Sequence, residues 1–569
     1  MYVITVYASA AFVIIELINN LAEPLNLPSN LLTIMVIILA VGFPLTIVLS
    51  WIYDLTGEGI ERTKPIDEVP DKEAVKVHNA WKITTYVSFV IIIGFVSYHI
   101  FSGTRKLRAG DIQSLVILPF ENFTGDDQLE NMVSSMHSLL IGDMGRISGL
   151  SVKGKTTSKI YKDVDMSAKD IARELNVDAV VEATVMCLGD SVCMQFRLVN
   201  TSGEEDLIWI GDYKEDKGQI MNLYNQITRQ IAEEVMIELT PEEQRLLNKS
   251  ITIDKEAFDA YLKSYAHWDD MGEEGTRKAI DYLNLAIEKD PDWAPLWSGL
   301  AQVIGVRIQF GYESAETGLP KVYGYLNRAL ELDPDYADIH FNNALFGAFS
   351  EWNWEKGEKE FLKALAINPN DAMSRIFYAH LLSILQRGDE ALLQGKLAVE
   401  LDPFNPTIQS MYAAVLAQNG DWETSLLHLE KSLVIEPAHY LANYLLEFVA
   451  YHCGKYDKVF KALRKSIPLE EEFFDSIETI YQEEGFEMAY KVIIDQMELL
   501  NIGSPCNLAS RYGVLHRYEK TLDWLEKGYE VHDSNMPYIA TKFSSYDSIY
   551  DHHRFLAIME KMNLPLPPK

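Results

Sequence analysis

The sequence predicts a multidomain protein: N-terminal transmembrane helices, then a small α+β domain, then an all-α repeat solenoid. Three observations predict it. Three apolar stretches fill the first 101 residues. A mixed run of short β-branched and amphipathic segments follows, from Asp111 to Thr240. From Phe258 onward a proline closes a similar phrase five times, at Pro291, Pro334, Pro369, Pro403 and Pro437. The last three intervals are 35, 34 and 34 residues; the first is 43, with extra residues around Phe310 to Leu319. A fixed period in this range marks stacked helical hairpins rather than one globular core.

The apolar stretches are expected to form an anchor over residues 1–103, with spans at about 2–18, 31–53 and 81–101. The second and third are each about 20 residues, the length a bilayer requires. The first is shorter and carries Glu16 near one end, where an interfacial carboxylate is better tolerated than one at the bilayer centre. Trp51, Tyr53, Trp81, Tyr86 and Tyr98 lie near the expected span ends, as interface anchors do. The connection Asn19 to Asn30 has no Lys or Arg, whereas Asp54 to Ala80 holds Arg62, Lys64, Lys72 and Lys76. That asymmetry places the second loop in the cytoplasm and everything after Phe101 on the far side. Arg105, Lys106 and Arg108 pull the other way.

Residues 111–240 change character. Ser114 to Phe120 reads as a buried strand, Leu129 to Ile147 as a helix, and Leu150 to Val152 as a short strand. Ser167 and Asp170 are spaced to cap a helix that runs to Leu175. Ala179 to Cys187 and Val192 to Val199 read as a hairpin around Gly189-Asp190, and Leu207 to Tyr213 as a further strand. Ile220, Leu223, Ile227, Ile231 and Val235 make one apolar face of a closing helix. Strands and helices in this order suggest a small α+β domain.

The chain has 569 residues, enough for several domains. A net charge of −33 argues against nucleic acid as the main ligand, because phosphate would be repelled. Four cysteines exclude a disulfide-dense scaffold, and no CxxC spacing points to zinc or an iron–sulfur cluster. A three-residue loop would set Cys187 opposite Cys193 across the hairpin; a two-residue loop would put them on different faces. Free buried thiols are the default reading, with a bridge left open.

Inside the repeat period, small residues recur where two helices of a hairpin touch: Ala279 and Ala286, Ala379, Ala391 and Ala398, and Ala413. Leu283 and Leu429 supply larger apolar contacts, and Gly420 marks a turn. On these residues, Phe258 to Pro437 resembles the tetratricopeptide repeat (TPR) family. The solenoid is expected over 255–569 and is degenerate after about 438, where Gly454, Tyr456 and Pro468 keep part of the phrase. In that family the first helix of each hairpin lines a concave groove. By register the resemblance puts Asn342, Phe346, His380 and Gln418 there, where Asn and Gln would bond a peptide backbone. Phe346 fits packing between repeats equally well.

Val116 to Asn122, Thr124 to Asp126, Ile147 to Leu150, Ile171 to Leu175, and Trp209 with Tyr213 together resemble the TolB amino-terminal-like (FlgO-like) domain. Gly42 to Glu61 resembles the anchor region of bacterial membrane proteins that join such a domain to TPRs. The family usually carries an Asp-Gly pair early in the first helix, where this chain has Val133 to Met136. The resemblance implies a bacterial inner-membrane, multi-pass protein whose C-terminal domains are periplasmic.

Gly149 to Thr156 satisfies the phosphate-cradle pattern GxxxxGK[ST] around Lys155. A working cradle needs a strand before the loop and a helix after it; here Leu150 to Val152 reads as the strand itself, so coincidence is the reading adopted. His552-His553 has no carboxylate at metal-ligand spacing. No catalytic, metal or cofactor-binding residues are therefore expected. The expected function is a membrane-anchored, non-enzymatic scaffold that holds protein or peptide partners, with homo-oligomers allowed. The alternative is the sensory part of a transmembrane signalling protein whose output domain is missing or lies on a partner.

Overall fold

The computed structural model describes residues 11, 39, 43, 53–56, 59–62, 112–201, 206–268, 272–541 and 546–566. The chain divides into two compact units, Met1–Arg105 and Lys106–Lys569. In the first, β1 (Tyr53–Thr56) and β2 (Gly59–Arg62) pair antiparallel, from Tyr53 opposite Arg62 to Thr56 opposite Gly59.

The transmembrane part of the expected fold class is corrected. Among the described residues no helix is long and apolar enough to cross a membrane. The multi-pass inner-membrane location goes with it. The spans expected at 2–18, 31–53 and 81–101 lie outside the described residues, apart from Ala11, Leu39, Phe43 and Tyr53. Tyr53, read as a span end, opens a β-hairpin. Apolar length meets the thickness of a bilayer; it does not by itself supply the closed backbone hydrogen bonding a bilayer also demands.

The second unit begins with a layer of sheet and helix. Its elements are β3 (Ser114–Ile117), β4 (Glu121–Asn122), α1 (Glu130–Met144), β5 (Ser151–Val152), α2 (Lys155–Lys159), α3 (Ala168–Leu175), β6 (Ala179–Leu188), β7 (Ser191–Asn200), β8 (Asp206–Asp216) and α4 (Ile220–Glu234). The strand order is β5-β3-β6-β7-β8, with β4 on β6. β3 runs parallel to β5 and β6, and β6, β7 and β8 form an antiparallel meander. Strand alternation sorts the core. Leu115 and Ile117 join Met136 and Leu140 of α1 and Ile227 and Ile231 of α4. Val116, between them, joins Ile171, Ala172 and Leu175 of α3. Each of these Val, Leu, Ile and Met side chains contributes about 1.5–3 kcal/mol on burial. Ser167 caps α3 by accepting the Asp170 N–H, and Asn176 ends it in the left-handed region at φ 50°. Leu188 pairs with Val192, so the β6–β7 loop has three residues, and Cys187 lies opposite Cys193. The two are bridged, which corrects the free-thiol default.

A connecting helix, α5 (Pro241–Leu247), leads to the repeats. They are α6 (Lys255–Trp268) with α7 (Glu273–Lys289), α8 (Ala294–Gln309) with α9 (Ala315–Leu332), and α10 (Ala337–Leu345) with α11 (Trp354–Ile367). Next come α12 (Ala372–Ile384) with α13 (Gly388–Leu401), α14 (Pro406–Gln418) with α15 (Trp422–Ile435), and α16 (Tyr440–His452) with α17 (Tyr456–Ser466). Last are α18 (Glu471–Glu484) with α19 (Phe486–Leu500), α20 (Pro505–Val514) with α21 (Tyr518–Glu530), and α22 (His553–Lys561). Each first helix packs on its successor. The long first interval reflects α9, which has 18 residues against 14 in α11, α13 and α15.

The repeating phrase has a double role. A residue before proline is driven out of the helical region, because the proline ring crowds its backbone. Asp290, Asp333, Asn368, Asp402 and Glu436 obey, with φ of −141°, −147°, −129°, −134° and −138°. That stops the second helix of each hairpin and frees a polar side chain. Four of these side chains turn back toward the preceding layer or the segment leaving it. Asp290 accepts the Asp254 N–H at 3.0 Å, and Asp333 takes Lys249 Nζ at 2.5 Å. Asn368 donates to Gly142 O at 3.4 Å, and Asp402 accepts the Thr157 N–H at 2.8 Å. The sheet layer and the array thus share one set of polar contacts.

Candidate functional site: the repeat groove and the loop at Lys155

The four residues expected in the groove are built into the seams of the array. Asn342, on α10, is 1% exposed and donates to Ser298 Oγ of α8 at 3.2 Å. Phe346 follows α10 and fills the space over Gly305, where a Cβ would lie 2.6 Å from Phe346 Cζ. Its ring also meets Tyr323 edge-on at 6.3 Å. His380, on α12, sets Nε2 2.9 Å from Met411 O and Nδ1 3.1 Å from the Tyr538 hydroxyl. Gln418 closes α14 and is 9% exposed. Asn342 Oδ1 and Gln418 Oε1 are buried and accept no hydrogen bond among the described residues.

Register along the repeats does not reveal what lies across from them. The chain's own C-terminal segment covers the α10–α13 face. Tyr538 stacks on Phe349 at 6.3 Å, and His532 stacks on Trp352 at 3.7 Å. Trp354 Nε1 donates to Met562 O at 2.9 Å, and Gln386 donates to Pro565 O and Leu566 O at 3.1 and 2.7 Å. Met536, Ile539 and Phe555 share a buried cluster with Ile376 and Leu382.

The loop around Lys155 holds protein where a nucleotide phosphate would sit. Gly154 N–H donates to Leu401 O at 2.8 Å, and Thr157 N–H to Asp402 Oδ1 at 2.8 Å. Phe404 N–H in turn donates to Thr157 Oγ1 at 3.0 Å. A Cβ on Gly154 would lie 2.6 Å from Asp402 Cγ, so only glycine admits this approach. The carboxylate at the start of α2 uses the helix N–H groups as an anion would, and it comes from the repeat array. The GxxxxGK[ST] spacing marks a contact between layers.

His552 caps α22 by accepting the Arg554 N–H at 3.3 Å, and its ring lies 4.5 Å from that of His553. Among the described residues no group of His, Cys, Asp and Glu is placed to hold a metal. A buried Ser–His contact that the sequence reading missed joins Ser158 Oγ and His137 Nε2 at 3.2 Å. His137 Nε2 also lies 2.9 Å from Ile117 O, and Ser158 donates to the same carbonyl. Both side chains are sealed from solvent and spend their polarity on that carbonyl. Also missed was Asn370, whose Nδ2 donates to Gly145 O, Ile147 O and Leu150 O at 3.0, 3.1 and 2.8 Å. Its Oδ1 accepts the Val152 N–H at 3.1 Å. The available signal was polarity beside a repeat-closing proline; its target lay more than 200 residues away.

Burial holds His137 and His380 neutral, each lowered from 6.5 to about 4. The unfolded chain takes up these protons below pH 6.5 and the folded chain refuses them until about 4. Stability present above pH 6.5 is therefore lost as pH falls toward 4. Asp338, pushed from 3.8 up to about 6 by burial and the nearby Asp371 carboxyl, acts in the opposite sense and offsets part of the loss below pH 6. The urea midpoint is expected to fall between pH 7 and pH 5, and less steeply in His380→Gln. An equal fall in both proteins would remove His380 as a cause.

No family model matches the chain. Over 292 residues it is 24% identical to a putative adenylate cyclase 3 of Rhizobium meliloti (strain 1021), covering 47% of this chain and 49% of the relative. The chain spans about half the length of the curated relative it matches. Among solved structures, PilW, a widely conserved type IV pilus biogenesis factor, is 18% identical, with 38% of this chain and 96% of PilW covered at a TM-score of 0.30. YrrB, a TPR protein with an unusual peptide-binding site, is 20% identical, with 35% of this chain and 92% of YrrB covered at a TM-score of 0.23. These are partial likenesses, and the chain's repeat architecture stands on its own helix hairpins.

Proposed function

We propose that this chain is a non-catalytic scaffold that binds protein or peptide partners through its TPR-like array. The observation that carries the reading is the pair of buried amide oxygens on Asn342 and Gln418 that no donor satisfies among the described residues. A buried acceptor left unpaired costs about 1–3 kcal/mol, so such groups call for an explanation. A peptide N–H would satisfy them. In this reading the partner opens the packed face and displaces the covering C-terminal segment, so that Asn342 and Gln418 bond its backbone while Phe346 and His380 shape the walls. The repeats from 255 to 569, degenerate after about 438, supply the surface, and residues 111–240 form the TolB-like layer that braces it. The loop at Lys155 supports a structural role for that layer, because Asp402 already fills it.

The chain bearing Asn342→Ala and Gln418→Ala, immobilised beside wild type, is expected to hold a captured peptide partner about tenfold more weakly, the equivalent of ~1.4 kcal/mol. Its thermal midpoint should fall as well, because Asn342 also donates to Ser298 Oγ inside the array, so capture is compared well below that midpoint, where both proteins are folded. Equal capture by both proteins would count against the groove.

A second reading, the regulatory part of a signalling protein whose output lies on a partner, draws on the likeness to the putative adenylate cyclase. It is read by adding the purified chain to a co-purifying nucleotide cyclase; unchanged turnover argues against it.

A further inference from the structure

We propose that β8 is a docking edge for a second copy of this chain, the two β8 strands pairing antiparallel across a twofold axis through Tyr213. The sheet has two edges, and the fold treats them differently. At the β5 edge the Asn370 side chain takes up the Val152 N–H and the Leu150 carbonyl, so the array closes it. β8, at the other end of the strand order, is 11 residues long and pairs only with β7. Its outward backbone groups meet no backbone partner among the described residues. An exposed edge of that length is a template for another strand unless charge, proline or a bulge blunts it. β8 has no proline, its register shift lies near its start, opposite Leu198 and Val199, and it leaves Leu207 and Ile210 each 48% exposed; its exposed charges, Asp206, Asp212, Lys214, Glu215 and Asp216, are of both signs and so bar only a strand that does not match them.

Charge selects the occupant and the register. Lys214 is exposed and makes no ion pair or hydrogen bond among the described residues, in a chain whose net charge is −33. Asp212 is exposed on the same face and holds only the Gln195 amide at 2.7 Å. A twofold axis perpendicular to the sheet pairs residues of equal parity. Centring it on Asp212 or on Lys214 opposes like charges. Centring it on Gly211 sets Asp206 against the second copy's Asp216, again like charges, and centring it on Ile210 sets Asp206 against Lys214 only across the register shift at the start of the strand. Centring it on Tyr213 sets Asp212 against the second copy's Lys214, twice, with the tyrosines facing each other at the axis. Opposite charges directly across an antiparallel pair are favourable and like charges unfavourable. In this register Gly211 lies under the rings of Trp209 and Tyr213, which fold over it and leave no room for a Cβ. The open strand therefore keeps an ordered aromatic surface beside the joint.

The test uses the full chain in sedimentation velocity at physiological ionic strength, where repulsion between the two copies is screened beyond about 8 Å. Wild type is expected to show a concentration-dependent dimer. Lys214→Asp alone and Asp212→Lys alone should each raise the dissociation constant about tenfold or more, since each sets like charges across both pairs. The double variant should restore the wild-type value. All these side chains are exposed, so circular dichroism melts should not move. Wild type that is monomeric at every soluble concentration overturns the proposal. So does a dimer indifferent to both single variants, or one that the double variant fails to restore.

Discussion

Replacing Arg511 by methionine is expected to remove about 3–5 kcal/mol of stability, the cost of leaving one member of a buried ion pair without its partner. Arg511 and Glu447 are 2% and 0% exposed, and Nη2 lies 2.6 Å from Glu447 Oε2. The pair joins three helices. Glu447 on α16 also accepts the Tyr490 hydroxyl of α19 at 2.5 Å, and Arg511 on α20 also donates to Asn507 O at 3.2 Å. Tyr444 and Phe448 place their rings 5.9 and 5.7 Å from the guanidinium. This stretch lies past Pro437, where the repeating phrase lapses, so the polar cluster replaces a sequence-local stop as the device that sets helix against helix. Urea unfolding of Arg511→Met checks the loss. Arg511→Met combined with Glu447→Gln should recover most of it, because no lone charge then remains. A single variant within about 1 kcal/mol of wild type would show that the pair carries little.

Asn370→Ala is expected to cost about 2–4 kcal/mol, because it strands the Leu150 carbonyl and the Val152 N–H, each worth roughly 1 kcal/mol or more when left unpaired, and takes one of two donors from Gly145 O and Ile147 O. Leu150 O loses its donor and the Val152 N–H its acceptor together, while Gly145 O and Ile147 O are left with one backbone N–H each. Asn370→Asp should do no better, since it keeps an acceptor for Val152 and turns a carboxylate toward three carbonyl oxygens. The readout is the urea midpoint, together with protease cleavage between β5 and α2, which should quicken as the layer loosens. Unchanged cleavage and a midpoint equal to wild type would mean that the array does not brace the sheet.

These two sites differ in how far the sequence announced them. The repeating prolines announced the helix ends near Asn368 and Asp402, because the restriction a proline places on its neighbour acts within one peptide unit. Nothing local announced that Asn370 faces Gly145 and Leu150, or that Asp402 faces Thr157, since each contact joins residues more than 200 apart in the chain. The motif at Lys155 misleads for the same reason. Its glycine is needed for close approach, and the group approaching is Asp402. Cys187 and Cys193 lay between two readings until the loop length was known, because one residue more or less reverses the face a side chain takes. Tyr53 shows the limit of reading hydropathy alone, since it starts a strand where an apolar run suggested a span end.

By itself the sequence determined the helical hairpins up to Pro437, their period, and most of the strand and helix order of the sheet layer, though not β4 or α2. These follow from side-chain periodicity, capping and proline geometry, all of which act over a few residues. The tertiary structure alone decided that the C-terminal segment lies over the α10–α13 face, that Asn370 and Asp402 bind the sheet layer, and that β8 is left as the open edge. The physical reason is that burial and partner choice are set by what packs across from a residue, and a chain encodes that only through all of its contacts together.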